Sequence, residues 1–237
     1  MPGIRTWIIA LWFFSLPLHA QVQLFAWERP PLITQGADGQ GAGLVPELAT
    51  ELFRRAESSY QLRFMPLQRA LRQVQMQPNS CALLVERQQE REPSYVWVGP
   101  MLISRLGLYA QATDELQLFS LQQARGLNIL SHQGSGAGEY LQSAGLQVIY
   151  SNNEALNLSM LQRQRARLWA TSAAVARARA VDPPLREVLP FLTLMEDIAC
   201  HPQFDPALLQ RLQMELQAMY VEGWVQALYQ RYELSLY

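Results

Sequence analysis

Apolar and polar positions along the chain follow two different periods. Short apolar runs of the kind that form strands occur at VQLFAW and CALLV. Between them, LVPELATELFRRA places Leu44, Leu48 and Leu52 on one face of a helix, YQLRFMP predicts a short strand, and LQRALRQVQM predicts a second helix. The resulting order of strand, helix, strand, helix, strand favours an α/β unit with a mostly parallel sheet.

The second half of the chain repeats this alternation. Extended segments are predicted at SYVWVGP and LGLYAQ, followed by a short helix in ELQLFSLQQARG that ends at Gly126. Strands at LNILS, LQVIY and RLWATS then alternate with helices at EYLQSAG, EALNLSMLQRQ and AAVARARA. PFLTLMEDIAC is extended, and the segment from Asp205 onward forms one or two helices interrupted near Gly223. Two α/β units without a flexible linker indicate two lobes joined by ordered strands.

Ligands of such folds bind in the crevice at the carboxyl ends of the strands. The loops that follow predicted strands are therefore the places to look for a site. These loops are 27–43, 65–69, 86–91, 131–138 and 171–174.

The first twenty residues have the pattern of a secretory signal peptide. A single basic residue, Arg5, precedes an apolar stretch from Trp7 to Leu18, and the small residue Ala20 marks the expected cleavage point. The apolar stretch is short for a membrane span, so an uncleaved anchor is the less favoured alternative. We therefore expect an exported protein located in the periplasm, with a signal peptide at 1–20.

Composition and charge exclude some classes of function. The 237 residues are 49% hydrophobic and 16% charged, which is ordinary for a globular protein. All 19 basic residues are arginine, and the formal net charge is only -1. A nucleic-acid-binding protein would usually carry a clustered basic excess, so no nucleic-acid partner is expected.

Export changes the interpretation of the two cysteines, because an oxidising compartment permits disulfides. Cys81 and Cys200 are the only pair available. A bridge between them would close a loop of about 120 residues and would stabilise the fold by roughly 4 to 5 kcal/mol. The alternative is two separate buried thiols that pack as small hydrophobic groups.

The glycine loop HQGSGAGEY, residues 132–140, lies between a predicted strand and a predicted helix. Its glycines lack the spacing of a dinucleotide fingerprint, it has no lysine for a nucleotide-phosphate loop, and Gln133 breaks the nucleophile-elbow pattern. A Ser135–His132 catalytic pair lacks a third orienting group. The backbone N–H groups of the loop and the Ser135 hydroxyl remain available to bind an anion at a helix N-terminus, and the alternative is an ordinary tight turn.

Three arginines and one tryptophan are further candidates for ligand binding. Arg69 begins a predicted helix, and Arg87 and Arg91 follow the strand CALLV, where a guanidinium could hold a carboxylate in bidentate fashion. Trp27 follows the first strand and could form a wall of a ligand site. The alternatives are solvated ion pairs for the arginines and a core position for the tryptophan. The three histidines are scattered, so no metal site is predicted, and no cofactor motif is present.

Together these segments resemble the type II periplasmic solute-binding proteins, and within them the branch that serves amino-acid ABC transporters. The resemblance extends over nearly all of the mature chain. It is carried by ERPPLITQGADGQGAGLVPELATELF, MPLQRALRQV, VERQQEREPSYVWVGPMLISRLGLYA, LNILSHQGSGAGEYL and EGWVQALYQRY.

The resemblance implies an α/β fold of two lobes joined by two crossing strands, with a ligand enclosed by hinge closure. Lobe one would comprise 21–109 and 195–237, and lobe two 110–194. In amino-acid-binding members, an arginine at the position of Arg91 grips the ligand carboxylate, helped by a hydroxyl and backbone N–H groups at the position of Ser135.

Other family features are absent from this sequence. Where α-amino-acid binders usually place an acidic residue for the ligand ammonium, this chain has Thr171 and Ser172, and Arg29 replaces the aromatic residue expected beside the Pro-Pro turn. An arginine-lined pocket without a clear acidic partner would favour an anionic ligand or one that lacks a free ammonium group. The ligand-binding candidates are Trp27, Arg69, Arg87, Arg91, Gly134, Ser135 and Ser172.

We expect a monomeric, non-catalytic protein that captures a small polar, carboxylate-bearing solute, an amino acid or a related molecule. It would deliver the solute to an ABC permease or signal to a membrane sensor. An alternative is a dehydratase-like enzyme on the same scaffold, for which Glu86 and Glu139 are the evident acid or base candidates. A purely structural protein would instead have a cleft filled by side chains.

Overall fold

The computed structural model describes residues 21–178 and 182–234. The predicted signal peptide at 1–20 lies outside these residues. Within the two described ranges, no helix combines the length and the apolar character needed to cross a bilayer.

The described chain forms strands and helices close to the predicted segments. The strands are β1 Val22–Ala26, β2 Thr34–Gln35, β3 Gly41–Ala42, β4 Tyr60–Phe64, β5 Ser80–Glu86, β6 Val96–Gln111, β7 Asn128–His132, β8 Gln147–Ser151, β9 Leu168–Ser172 and β10 Leu185–Cys200. The helices are α1 Leu44–Arg55, α2 Leu67–Met76, α3 Gly136–Ser143, α4 Glu154–Gln162, α5 Ala173–Arg177, α6 Pro206–Val221 and α7 Trp224–Arg231. Short 3₁₀ helices lie at Gln89–Ser94 and Leu121–Ala124.

Eight strands form one sheet in the order β4-β1-β5-β10-β6-β9-β7-β8. The strands β4, β1 and β5 are mutually parallel, and so are β9, β7 and β8. The two long strands β10 and β6 lie between these groups and run antiparallel to each other and to their outer neighbours. The structure confirms the predicted α/β architecture, with two lobes joined by two crossing strands.

We call the part around β4, β1 and β5, with α1, α2, α6 and α7, lobe one. Lobe two is the part around β9, β7 and β8, with α3, α4 and α5. The predicted boundaries between residues 109 and 110 and between 194 and 195 both fall inside continuous strands, β6 and β10. They therefore stay predictions.

The apolar core continues from one lobe into the other. One cluster of buried side chains contains Leu24, Leu48 and Leu212 of lobe one together with Leu158 and Trp169 of lobe two. This continuity places the two lobes in direct contact.

A disulfide joins Cys81 of β5 to Cys200 of β10. The two residues face each other in the antiparallel register of these strands, and both are fully buried. The bridge therefore fixes the end of the crossing strand β10 to the core of lobe one.

The predicted helix in ELQLFSLQQARG is shorter than expected. Only Leu121–Ala124 is helical, as a 3₁₀ turn, and Gly126 follows with a φ of 80°. The Phe119 side chain just before it is 81% exposed, so this stretch lacks a packed apolar face that would support a longer helix.

Candidate functional site

A small buried cavity lies where the carboxyl ends of the parallel strands of both lobes meet. Its volume is about 10 Å³, roughly the space of one water molecule. Its polar lining consists of Arg29, Glu86, Ser135, Glu154, Thr171 and Ser172. Each of these residues ends a strand or follows one, as expected for a ligand site of this architecture.

Arg29 is the cation of the cavity. It follows β1, is 2% exposed and forms an ion pair with Glu196 of β10. Burial opposes its charge, but the carboxyl groups of Glu196, Glu86 and Glu154 outweigh this effect and raise the pKa of the guanidinium. Arg29 therefore stays protonated, and its charge is directed at carboxyl groups of the chain itself.

Two further carboxyl groups are buried near Arg29. Glu154 is the first residue of α4, where the Asn153 side chain caps the helix by accepting hydrogen bonds from the next two backbone N–H groups. Burial raises the pKa of Glu154, and burial raises that of Glu196 to about 7. Removal from water disfavours the charged form of both groups, and the charge of Arg29 is the largest influence that opposes this.

Trp27 forms an aromatic wall beside the cavity. Its ring lies 4.5 Å from the His132 ring, and the Arg29 guanidinium lies 5.3 Å from its centroid. Burial, followed by the charge of Arg29, lowers the pKa of His132 to about 4. His132 is therefore neutral at physiological pH.

Ser135 and Ser172 line the cavity while capping helices. The Ser135 hydroxyl accepts a hydrogen bond of 3.1 Å from the Gly138 N–H at the start of α3, and it shares a hydrogen bond of 3.0 Å with Ser131. The Ser172 hydroxyl accepts one of 3.4 Å from the Val175 N–H at the start of α5. Each cap fixes the direction of its hydroxyl.

Glu86 of lobe one contacts the first turn of α3 in lobe two. Its carboxylate accepts a hydrogen bond from the Gly136 N–H. A Cβ atom at Gly136 would meet the ends of the Gln88 and Glu86 side chains, so a larger residue there would force these side chains to move.

Arg91 also bridges the lobes. Its guanidinium donates to the Gly134 carbonyl oxygen at 2.8 Å and forms a 2.7 Å ion pair with Glu139, both in lobe two. It also donates to the Glu86 carbonyl oxygen at 3.2 Å. Arg91 and Gly134 thus meet as a contact between lobes, beside the cavity and outside its lining.

The other two predicted arginines lie apart from the cavity. Arg87 pairs with Glu92 at 2.6 Å and with Asp197 at 3.4 Å, all within lobe one and the crossing strand. Arg69 lies exposed on α2. Of the seven predicted ligand-binding residues, the cavity lining brings together Trp27, Ser135 and Ser172.

Sequence reasoning assigned no ligand role to Arg29 or Glu154. Arg29 lies in the loop 27–43, which the sequence singles out, so its position after β1 was an available signal. Glu154 follows β8, whose loop was not among the candidates. The sequence offers no acidic residue at the end of β9, whereas Glu86 and Glu154, from other strand ends, line the cavity.

No group of three or more histidine, cysteine, aspartate or glutamate side chains suited to a metal ion occurs in the described part of the chain.

The sequence matches no protein-family model and no curated protein. Solved structures, in contrast, resemble it over most of its length. A mutant of the arginine-binding protein ArgBP from T. maritima has a TM-score of 0.80 at 17% identity, with 89% of this chain and 94% of that chain covered. A histidine kinase sensor domain with similarity to periplasmic binding proteins has a TM-score of 0.81 at 16% identity, with 90% and 96% covered.

A third similar structure is the ancestral amino acid-binding protein AncCDT-1, a precursor of cyclohexadienyl dehydratase. Its TM-score is 0.78 at 15% identity, with 89% of this chain and 94% of that chain covered. At such identities these likenesses show the fold. The chain has the two-lobed fold seen in these structures.

Proposed function

We propose that the protein is an exported solute-binding protein whose two lobes close around one small polar solute. The observation that carries this proposal is the cavity between the lobes. Arg29 and Glu86 reach it from lobe one, and Ser135, Glu154 and Thr171 reach it from lobe two. Buried charged and hydroxyl groups that converge at the ends of strands are typical of small-molecule sites.

Solute entry requires the lobes to separate. The cavity of about 10 Å³ is far smaller than the roughly 300–1,000 Å³ of ordinary ligand pockets. The crossing strands β6 and β10 are the natural hinge, because they are the continuous strands that connect the two groups of parallel strands. The described conformation is then the closed one, and the solute binds from a more open one.

The same proposal includes the cellular location and the partners of the protein. A signal peptide at 1–20 would direct the protein to the periplasm, where it would serve an ABC permease or a membrane sensor. The fold supports both roles, since the similar structures include an arginine-binding protein and a histidine kinase sensor domain.

The solute is an amino acid or a related amine. Sequence predicts a carboxylate-bearing molecule gripped by Arg91 and Ser135. The charges around the cavity favour a cationic group on the solute, because Glu86 and Glu154 face one arginine that is already paired with Glu196.

A thermal-shift screen of amino acids, amines, organic acids and small peptides tests the proposal. A bound solute at 100 times its Kd should stabilise the protein by about 2.7 kcal/mol and raise its melting temperature. The matched variant is Thr171→Val, which preserves shape while removing a hydroxyl that lines the cavity. Its melting temperature without solute should equal or exceed that of the wild type, because the removed hydroxyl has no hydrogen-bond partner among the described residues, and it should lose most of the shift. A screen without any shift would contradict solute binding.

An enzyme on the same scaffold is the second candidate, favoured by one observation. The Glu154 carboxyl group is buried in the cleft with a raised pKa, as a general acid requires. Glu139, proposed from sequence, is paired with Arg91 and its side chain is 46% exposed. Incubating each binding solute with the protein and following it by NMR separates the two: a binder returns the solute unchanged, and an enzyme consumes it.

A further inference from the structure

The anion-binding position at the start of α3 is already occupied by the chain itself. The Gly136 N–H points out of the first turn of the helix, where a solute carboxylate would bind. Glu86, at the carboxyl end of β5 in the opposite lobe, accepts a hydrogen bond from this N–H. A solute carboxylate would have to displace Glu86 and leave it as a buried charge without this partner.

The arginines beside the cleft are likewise paired with carboxylates of the chain. Arg29 is paired with Glu196, and Arg91 is paired with Glu139. Neither Glu86 nor Glu154 forms an ion pair with a described residue. Both residues are nevertheless buried, since each is only 4% exposed. Around the cavity, two carboxyl groups without an ion pair to a described residue therefore face one arginine, which is already paired with Glu196.

An unpartnered hydroxyl points to a ligand at the same place. Thr171 lines the cavity and is 3% exposed, and its Oγ1 atom has no hydrogen-bond partner among residues 21–178 and 182–234. A buried hydroxyl without a partner is unfavourable, and a solute N–H donor would remove that cost. This observation is independent of the carboxyl groups.

Resting on the proposed function, we propose that the solute is a small organic cation, an ammonium or guanidinium compound, that carries no carboxylate. The cation would lie between Glu86 and Glu154 and donate to the Thr171 hydroxyl. An amino acid would add a carboxylate to a cleft whose arginines already pair with carboxylates of the chain and whose Gly136 N–H already donates to Glu86. Glu86 thus competes with carboxylate-bearing solutes for the Gly136 N–H.

Matched pairs of compounds test this selectivity by isothermal titration calorimetry at pH 7.5. Agmatine is arginine without its carboxylate, and putrescine is ornithine without its carboxylate. The wild-type protein should bind agmatine and putrescine at least 10-fold more tightly than arginine and ornithine.

Variants assign the effect to residues. Glu86→Ala frees the Gly136 N–H and should reduce the agmatine-to-arginine affinity ratio by 10-fold or more. Glu90→Ala, which removes an exposed carboxylate four positions along the chain, is the control and should keep the ratio. Glu154→Gln resembles the protonated side chain, so it should fold normally and bind agmatine at least 10-fold more weakly.

The outcomes separate this inference from the proposed function. Equal or tighter binding of arginine and ornithine by the wild-type protein overturns the inference and leaves solute binding intact. A ratio that is unchanged by Glu86→Ala also overturns it. If none of the four compounds binds, the inference fails. The proposed function fails as well only if no compound in the wider thermal-shift screen raises the melting temperature.

Discussion

Arg91 donates a hydrogen bond of 2.8 Å to the carbonyl oxygen of Gly134, so a side chain of lobe one holds the backbone of lobe two. The same guanidinium pairs with Glu139. These contacts, with that of Glu86 on Gly136, join the two lobes across the cleft. Under the proposed hinge closure, residues of the chain therefore stabilise the closed state.

Removing the Arg91 contacts should open the unliganded protein. Arg91→Met keeps the apolar stem and loses both contacts to lobe two, the hydrogen bond to Gly134 and the ion pair with Glu139, at a cost of about 1.5–3 kcal/mol to the closed state. Small-angle X-ray scattering should show a larger radius of gyration. Arg69→Met, an exposed position on α2, is the control and should scatter like the wild type. An unchanged radius for Arg91→Met would show that the contact does not hold the lobes together.

The stability of the protein should depend on pH through Asp197. Burial raises its pKa to about 6, although Arg87 acts in the opposite direction. Between the unfolded value of about 3.9 and 6, the folded protein binds more protons than the unfolded chain. The contribution of Asp197 to the free energy of unfolding is therefore complete below about pH 4 and is lost as the pH rises through 6.

Two other titratable groups modify this profile. The pKa of Glu196 is raised to about 7, so this group also makes the protein less stable as the pH rises. The pKa of His132 is lowered to about 4, so this group makes the protein more stable as the pH rises from about 4 to about 6.5. The variant Asp197→Asn isolates one contribution. From pH 4 to pH 7, the wild type should lose up to about 3 kcal/mol relative to the variant in urea unfolding. Parallel pH profiles for the two proteins would refute the assignment.

The disulfide between Cys81 and Cys200 should contribute strongly to stability. It closes a loop across a sequence separation of 119 residues, for which chain entropy predicts roughly 4 to 5 kcal/mol. The double variant Cys81→Ala/Cys200→Ala should lose about this amount of unfolding free energy. A reductant should lower the melting temperature of the wild type and leave that of the double variant unchanged. A wild type that is insensitive to complete reduction would contradict this role.

Much of the fold could be predicted from local pattern. Apolar runs and helical faces located β5, α1 and α2, because each buries a periodic set of side chains. Gly223, with a φ of 76°, separates α6 from α7 where the sequence predicts an interruption.

The site was less predictable, because its chemistry depends on distant pairs. Arg29 and Glu196 are 167 positions apart, and they meet only because β10 returns to the edge of lobe one. Nothing in the local sequence of Arg91 indicates that Glu139 neutralises it. Sequence alone located loops at strand ends, whereas the pairing of charges within them required the topology.

Hydrogen–deuterium exchange with a solute from the thermal-shift screen tests the central claim most directly. Binding between the lobes should protect backbone amides of 84–91 in lobe one and of 132–138 and 171–175 in lobe two together, at the same solute concentration. Protection confined to one lobe, or confined to the distant surface around 111–114 and 164–167, would contradict a solute enclosed between the two lobes.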